Sequence, residues 1–322
     1  MDAVVALIKD EMQAVEEQIK NHLSSEVELI GQVGQYVLSS GGKRLRPMLL
    51  ILSSRLCGYQ GDKHIDLAGV VEFIHTATLL HDDVVDSASL RRGNRSANSV
   101  WGNQASVLVG DFLFAKSFSV MVGSNSLRIL KLLADTTTQL AEGEILQLLN
   151  TCDLEVDESR YLQVVRDKTA ILIAAACQVG AVLAGAEAEQ EVALREFGLE
   201  IGTAFQLMDD ALDYVANQKE FGKERGHDLF EGKMTLPLIH TYHSASAREC
   251  AEISRIVEAE DLVAEDLDYV CRLIEEKGGI TYTRDKALER IARAKRVLDV
   301  FPDSPTRQAL FQLADYVVSR NK

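Results

Sequence analysis

The stretch that decides the fold is the apolar run VVEFIHTATLL (residues 70–80), which leads through His81 into the acidic pentad DDVVD (residues 82–86). The arrangement recurs at residues 201–213, where IGTAFQLM precedes a second pentad, DDALD. Such apolar runs are typical of buried helices. Residues four apart on a helix lie on one face, about 5–6 Å apart, so the first and last aspartates of each pentad converge. Carboxylates at the ends of buried helices must be paired or metal-bound, because an isolated buried charge is too unfavourable.

The predicted ligand of these carboxylates is Mg²⁺. This ion is usually bound through one or two carboxylates and substrate phosphates rather than by an all-protein cage. Two acidic helix ends turned toward one cavity would meet that requirement. The alternative is that each pentad is solvated helix surface, as acidic clusters usually are, and the apolar runs before both pentads argue against it.

The composition predicts one large helical domain covering residues 1–322. Of these residues 47% are hydrophobic and only four are proline, and no Pro-, Gly- or Ser-rich linker divides the chain. Apolar residues recur at three- and four-residue spacing, without sustained strand-type alternation, in residues 127–149, 161–183, 192–214 and 306–318. We therefore expect an all-α architecture of about ten or more helices.

The most apolar stretch, residues 170–186, is rich in Ala and Gly and contains Gln178. It is shorter than the roughly 20 strongly apolar residues that a bilayer span needs. We expect a buried core helix there rather than a membrane segment.

The net charge and the cysteine content indicate which kinds of partner and which cellular location to expect. The net charge of −15 argues against a nucleic-acid partner, because such proteins carry basic surfaces that neutralise phosphates. The five cysteines are scattered without metal-ligand spacing, which predicts reduced core residues of a cytosolic protein. The first residues lack the basic region and cleavage site of a signal peptide. These features predict a cytoplasmic location.

This acidic chain places basic residues close to both pentads. Lys43, Arg44 and Arg46 stand at the start of a predicted helix, where free amide N–H groups and the helix dipole also favour phosphate. The others are Arg91 and Arg92 after the first pentad, Lys223 and Lys233 after the second, and Lys168, beside Thr169, at the start of the Ala-rich stretch. One diphosphate bridged by metal would explain the carboxylates and the cations together.

In combination, these motifs resemble the all-trans polyprenyl diphosphate synthases over nearly the whole chain. They are GGKRLRP (residues 41–47), DDVVD with RRG (82–93), KT (168–169), QLMDDALDY (206–214) and EGKMTLP (231–237). Residues 72–92 and 107–112 most resemble bacterial octaprenyl diphosphate synthases, which supply the ubiquinone side chain. The resemblance implies a single isoprenoid synthase-type domain with its helices around a deep central cavity, and a homodimer.

The resemblance also implies the reaction and its residues. An allylic diphosphate, expected to be farnesyl diphosphate, ionises, and isopentenyl diphosphate attacks the carbocation head to tail. Mg²⁺, three ions when substrate is bound, is assigned to Asp82, Asp86 and Asp209, with Asp83, Asp210 and Asp213 in supporting positions. Contacts to the allylic diphosphate are assigned to Arg91, Lys168, Thr169, Gln206, Lys223 and Lys233, of which Lys168, Thr169 and Gln206 form the catalytic group. Contacts to isopentenyl diphosphate are assigned to Lys43, Arg46, His75 and Arg92. Peripheral membrane contact for product release is a further expectation.

Helix geometry adds support for two of these residues. His75 lies two turns before Asp82 on the same stripe, and Gln206 lies three residues before Asp209. A histidine in an apolar helix is more often a hydrogen-bonded core residue than a ligand. The shared stripe favours a phosphate contact, to which a protonated imidazole donates from both nitrogens.

Product length is predicted to depend on Ala77 and Thr78, which occupy the turn before the first pentad. Both are small and leave room for a growing hydrocarbon tail, which a bulky aromatic residue would stop. Phe118 or Met121, on the following helix, is the candidate floor of the tail's channel, and ordinary core packing is the alternative for both.

Several other functions remain open at this point. Nonaprenyl and heptaprenyl products are alternatives to octaprenyl. A terpene cyclase does not usually carry a second pentad, and a non-catalytic regulatory subunit typically loses aspartates from one pentad. A metal-buffering helical scaffold would not require cations beside each pentad.

Overall fold

The protein is described by a computed structural model that covers residues 1–215, 226–259 and 262–319. The helices before residue 215 are α1 (Asp2–Leu7), α2 (Lys9–His22), α3 (Glu28–Ser39), α4 (Leu45–Leu56), α5 (Lys63–Val85), α6 (Ala97–Trp101), α7 (Asn103–Val122), α8 (Leu127–Leu149), α9 (Glu158–Val165), α10 (Ile171–Ala184) and α11 (Ala188–Asp213). Those after residue 226 are α12 (His227–Phe230), α13 (Leu236–Ser244), α14 (Ala247–Val257), α15 (Ala264–Glu276), α16 (Gly279–Val297) and α17 (Pro305–Ser319).

Three short elements complete the described chain. A π-helical turn, Arg166–Ala170, joins α9 to α10, and a 3₁₀ turn, Leu298–Val300, follows α16. The strands β1 (Leu90–Arg91) and β2 (Asn94–Arg95) form a two-residue antiparallel ribbon. The predicted all-α architecture is confirmed.

The chain forms two compact units. The first comprises Met1–Thr137, Leu172–Gly198 and Val297–Leu313, and the second comprises the described residues of Thr138–Ile171, Leu199–Arg296 and Ala314–Lys322. The first pentad belongs to the first unit and the second pentad to the second unit. The expectation of one domain over residues 1–322 stays a prediction.

In the first unit, α5 packs antiparallel along α7. Near one end of the pair, Lys63 Nζ donates to the Ser124 carbonyl at 2.8 Å, and near the other Ser106 Oγ donates to the Leu80 carbonyl at 3.0 Å. Residues 67–74 of α5 are all buried, as the apolar run predicts. The first pentad therefore lies at the end of a helix that is fixed by its neighbours.

The apolar stretch at residues 170–186 forms α10 and its flanks, and residues 170–177 are all buried. Two described stretches, Asn103–Val122 and Glu158–Ala184, are long and apolar enough to span a membrane, and 33% and 67% of their apolar windows are buried within the protein. The prediction of a buried core helix at residues 170–186 is confirmed.

The five cysteines are free thiols. Cys177 and Cys271 are buried, and burial raises the pKa of the Cys177 thiol to about 12. Cys152 is exposed, so the prediction of a core position is wrong for this residue. It follows the end of α8, where its amide donates to the Gly232 carbonyl at 2.9 Å.

Candidate active site

Each acidic pentad sits at the carboxyl end of a long helix. Asp86 caps α5, and its amide donates to the Asp82 carbonyl at 2.8 Å. Asp213 is the last residue of α11. Because the helical turn is continued to the last aspartate, the first and last aspartates of each pentad share a face, as predicted.

The middle aspartate differs from the other two in both pentads. Asp83 is 2% exposed and Asp210 is 3% exposed, whereas Asp82 and Asp209 are half-buried. Both middle carboxylates accept hydrogen bonds from protein side chains. The half-buried first aspartate of each pentad is therefore more accessible than the middle one, which fits supporting roles for Asp83 and Asp210.

Asp83 is bound by Arg91, which follows it on β1. Arg91 Nε donates to Asp83 Oδ1 at 2.7 Å, and a second guanidinium nitrogen pairs with the same oxygen. Burial raises the pKa of the Asp83 carboxyl, although Arg91 opposes this shift. Arg91, predicted to contact the allylic diphosphate, is therefore held beside the first pentad by a buried carboxylate.

The motif GGKRLRP forms the loop before α4 and the first turn of that helix. Gly41 and Gly42 have positive φ angles of 89° and 145°, and Arg44 caps α4 in the left-handed region. Arg92 donates to the Gly41 carbonyl. The structure thus brings Arg92 against the loop that carries Lys43, and their contact with isopentenyl diphosphate stays a prediction.

Arg44 anchors this loop to three helices, α5, α2 and α3. Its Nη1 donates to Glu72 Oε1 of α5 at 2.5 Å, its Nε to Glu16 Oε1 of α2 at 2.9 Å, and its Nη2 to the Leu38 carbonyl at 2.7 Å. The Glu72 side chain is 7% exposed and that of Arg44 is 14% exposed. Lys43 and Arg46 flank this anchor in sequence, so Arg44 fixes the backbone from which both project.

Replacing Arg44 with methionine should destabilise the protein by about 3–5 kcal/mol, because the Glu72 carboxylate would stay buried without its partner. Urea unfolding followed by circular dichroism measures this loss. The double variant R44M/E72Q should recover much of the stability, since the unpaired carboxylate of residue 72 is replaced by a neutral amide. A single variant as stable as the double variant would contradict the expected coupling.

His75 lies on α5 among four arginines. Burial, followed by the charges of Arg46, Arg92, Arg91 and Arg44, lowers the pKa of His75 well below its ordinary value. The imidazole is therefore neutral at physiological pH in the ligand-free protein, and donation from both nitrogens, which requires protonation, stays a prediction for the bound state. A bound diphosphate would favour protonation, because its negative charge offsets the arginines. The position of His75 fits the predicted isopentenyl diphosphate contact.

In the second unit, a chain of hydrogen bonds links three predicted residues. Thr169 Oγ1 donates to Gln206 Oε1 at 3.0 Å, and Gln206 Nε2 donates to Asp210 Oδ1 at 2.7 Å. Tyr161 completes the chain by donating to Asp210 Oδ2 at 2.5 Å. Burial raises the pKa of Asp210 to about 7, although the hydrogen bonds from Tyr161 and Gln206 act to lower it. The amide of Gln206 is thereby oriented.

Lys168 and Lys233 are each paired with a glutamate. Lys168 Nζ lies 2.7 Å from Glu144 Oε2, and Lys233 Nζ lies 2.5 Å from Glu231 Oε2. Burial alone would raise the pKa of Glu231. Hydrogen bonds from His227 and Lys233, together with their positive charges, have the larger effect and lower this pKa to about 2. Both lysines lie in the second unit with Asp209. Lys223 lies outside the described residues.

Asp213 ties the end of α11 to the segment that starts at Gly226. Its carboxylate accepts from the Asp228 amide at 3.0 Å, and its carbonyl accepts from the Gly226 amide at 3.0 Å. This agrees with the supporting role assigned to Asp213.

The residues predicted to set product length lie inside the first unit. Ala77 is completely buried and Thr78 is half-buried, with its hydroxyl donating to the His75 carbonyl at 2.8 Å. Met121 is completely buried and Phe118 is half-buried. The hydrogen bonds between α5 and α7 place Phe118 opposite residue 69 of α5. Residue 69 lies about 20 Å from Asp82 along the helix axis, because an α-helix rises 1.5 Å per residue. Phe118 and Met121 thus lie deeper than Ala77.

Within the described ranges, no group of three or more His, Cys, Asp or Glu side chains forms a metal site by itself. The donor set of each pentad is instead two half-buried carboxylates on one face. Oxygen donors in this number suit Mg²⁺, which keeps waters and substrate phosphates as its remaining ligands. The residues present therefore fit the predicted ion.

Three residues at this site were missed by sequence reasoning as functional candidates. Glu72 pairs with Arg44, which is 28 residues away and was expected to favour phosphate with its basic neighbours. Tyr161 and Glu144 also act through partners distant in sequence, 49 and 24 residues away. No local pattern indicates such pairs.

Comparison with known proteins agrees with this geometry. The family model for polyprenyl synthetase matches residues 27–274. The chain is 42% identical over 322 residues to the octaprenyl diphosphate synthase of Escherichia coli, covering 100% of this chain and 99% of that protein. It is 44% identical over 321 residues to the octaprenyl diphosphate synthase of Haemophilus influenzae, covering 100% and 97%.

Among solved structures, a polyprenyl synthase from Caulobacter crescentus, complexed with calcium and isoprenyl diphosphate, superimposes with a TM-score of 0.96 at 43% identity, covering 100% of this chain and 98% of that chain. The chain belongs to the polyprenyl synthetase family. This membership confirms the resemblance found in the sequence and the predicted enzyme class, a prenyltransferase.

Proposed function

We propose that the protein elongates farnesyl diphosphate by Mg²⁺-dependent, head-to-tail condensation with isopentenyl diphosphate, to all-trans octaprenyl diphosphate for the ubiquinone side chain. The observation that carries the proposal is the shared organisation of the two pentads. In each, the middle aspartate is buried and its carboxylate accepts hydrogen bonds from a protein side chain, whereas the first and last aspartates are half-buried and share one face of the helix. The similarity to two octaprenyl diphosphate synthases over their full length supports the product.

Asp82, Asp86 and Asp209 would hold the ions, three per active site when substrate is bound. When bound, Mg²⁺ neutralises the diphosphate and makes it a better leaving group. The calcium and isoprenyl diphosphate complex of the Caulobacter crescentus protein supports a divalent cation in this role.

The basic residues of the second unit are proposed to bind the allylic diphosphate. Lys168 Nζ and Lys233 Nζ supply positive charge, and the Thr169 hydroxyl and the Gln206 amide supply oriented dipoles. Breaking the C–O bond transfers its electron pair to the diphosphate, so groups already aligned with that charge stabilise the transition state more than the ground state. Lys223 and Arg91 are proposed to take part in the same binding.

Lys43, Arg46, His75 and Arg92 are proposed to bind isopentenyl diphosphate. Its double bond attacks the allylic carbocation, a C–C bond forms, and a proton is lost to the departing diphosphate as the new trans double bond appears. No nucleophilic side chain is required.

Nonaprenyl and heptaprenyl diphosphate are the alternative products. A non-catalytic regulatory subunit is disfavoured by the six intact aspartates of the pentads. We further propose a cytoplasmic homodimer that makes peripheral membrane contact when it releases its product. The charge of −15 disfavours nucleic acid as a partner.

Removal of Mg²⁺ with a chelator should show whether the protein is a metal-dependent enzyme or a non-catalytic protein. The purified chain is incubated with farnesyl diphosphate, labelled isopentenyl diphosphate and Mg²⁺, and the dephosphorylated products are sized by chromatography. We expect incorporation into octaprenol, its loss with excess EDTA, and its return when Mg²⁺ is added back, because the leaving group needs the metal charge. Incorporation that persists in EDTA would contradict the metal dependence, and absence of any incorporation would favour the regulatory subunit.

A further inference from the structure

The turn that carries Lys168 and Thr169 is π-helical and spans Arg166–Ala170. π-Helical turns are rare and occur mostly as single-turn bulges within α-helices, frequently at functional sites. The extra residue in such a turn shifts side chains off the stripe that a regular helix would give them. The directions of Lys168 and Thr169 therefore depend on what holds this turn.

Two glycines within helices lie against the backbone of the turn. A Cβ atom on Gly143 of α8 would lie 2.6 Å from the Lys168 amide nitrogen and 2.7 Å from the Asp167 carbonyl carbon. A Cβ atom on Gly202 of α11 would lie 2.5 Å from the Ala170 Cα. Glycine weakens a helix interior relative to alanine, so its use at both positions is explained by this close approach.

The residue after Gly143 holds the Lys168 head group. Glu144 Oε2 lies 2.7 Å from Lys168 Nζ, and the two side chains are 31% and 19% exposed. Helix α8 thus fixes Lys168 at its backbone through Gly143 and at its ammonium through Glu144.

Helix α11 fixes the other side of the turn in a similar way. Gln206 lies one helical turn after Gly202 and accepts from Thr169 Oγ1 at 3.0 Å. The same Gln206 amide donates to the buried Asp210, so its carbonyl is directed toward Thr169. A shift of the turn away from α11 would break this hydrogen bond.

We propose that Gly143, Glu144 and Gly202 are positioning residues that fix the π-helical turn, so that Lys168 and Thr169 meet the departing diphosphate. The inference rests on the proposed function and adds residues that act through Lys168 and Thr169 rather than on the substrate. The geometry requires no side chain at residues 143 and 202 and an acceptor at residue 144.

The test compares Gly143→Ala with Gly198→Ala. Gly198 lies on α11 one turn before Gly202, and a Cβ atom there would lie 2.5 Å from the Ala174 Cα. The added methyl group thus approaches the neighbouring backbone as closely as in Gly143→Ala. In Gly198→Ala, however, that backbone belongs to α10, a regular α-helix. Both variants should lower the melting temperature measured by circular dichroism.

Kinetics separate the two variants, at a temperature where both are folded. Gly143→Ala should lower kcat about 10²-fold, as a misplacement of roughly 1 Å does, with the KM for isopentenyl diphosphate unchanged. Gly198→Ala should keep a kcat close to that of the wild type. Equal losses of kcat in both variants, or an unchanged kcat in Gly143→Ala, would overturn the proposal.

Substitutions of Glu144 keep the proposal testable should Gly143→Ala fail to fold. Glu144→Ala should lower kcat, and Glu144→Gln should restore most of it, because the amide oxygen still accepts from Lys168. A wild-type kcat in Glu144→Ala would overturn the role of Glu144. Failure of the proposed function is distinguishable, since the unsubstituted protein would then show no condensation.

Discussion

Asp209→Ala should lower kcat for the condensation by at least about 10³-fold. Metal ions that polarise a leaving phosphate contribute several kcal/mol of transition-state stabilisation, and each 1.36 kcal/mol corresponds to a tenfold change in rate. Asp209 is half-buried, whereas its neighbour Asp210 is buried and accepts hydrogen bonds from Tyr161 and Gln206. The loss is measured by incorporation of labelled isopentenyl diphosphate at saturating substrate and Mg²⁺. Asp82→Ala should behave in the same way.

The control for both variants is Asp135→Ala. Asp135 is also a helical aspartate, but it is 56% exposed and pairs with Lys131 at 2.8 Å on the surface of α8. Exposed ion pairs of this kind contribute at most about 1 kcal/mol to stability, so this variant should keep both its activity and its fold. Circular dichroism should show all three variants folded. A folded Asp209→Ala variant with a wild-type rate would exclude the proposed metal role.

The sequence could predict the parts of the site that depend on local periodicity. DDVVD and DDALD place their first and last aspartates on one face because a helix returns to the same side every four residues. The flanking apolar runs predicted burial, which is confirmed by residues 67–74 of α5 and by Ile201, Ala204 and Leu207 of α11.

The parts that depend on contacts between distant residues could not be predicted. The sequence does not show that Asp83 binds Arg91, because either could equally face a ligand. The lowered pKa of His75 follows first from burial and then from arginines on separate elements, which no single helix reveals. The π-helical turn at Arg166–Ala170 has no signature in its own residues, since it lies against glycines of α8 and α11.

The glutamate partner of Lys168 was missed for the same reason. Glu144 lies beside Lys168 in space although it is 24 residues away in sequence, and acidic residues are common throughout this chain. Only the folded arrangement distinguishes a glutamate that holds a lysine from one on a solvated surface.

Ala77→Phe should shorten the product from octaprenyl to a few isoprene units. Ala77 lies 82 − 77 = 5 residues before Asp82 on α5, about 7.5 Å along the axis at 1.5 Å per residue. The candidate floor at Phe118 and Met121 lies deeper along α7. A phenyl ring at residue 77 would therefore stop the hydrocarbon tail well before that floor. The measurement is the chain length of the dephosphorylated products.

The matched control is Ala294→Phe, because Ala294 is also completely buried, on α16 in the second unit. Overpacking at either position should cost about 1–3 kcal/mol of stability, so both variants should melt at a lower temperature. Only Ala77→Phe should change product length, since the turn before the first pentad is the part predicted to line the channel. Octaprenyl product from a folded Ala77→Phe variant, or equal shortening in both variants, would show that the tail does not pass Ala77.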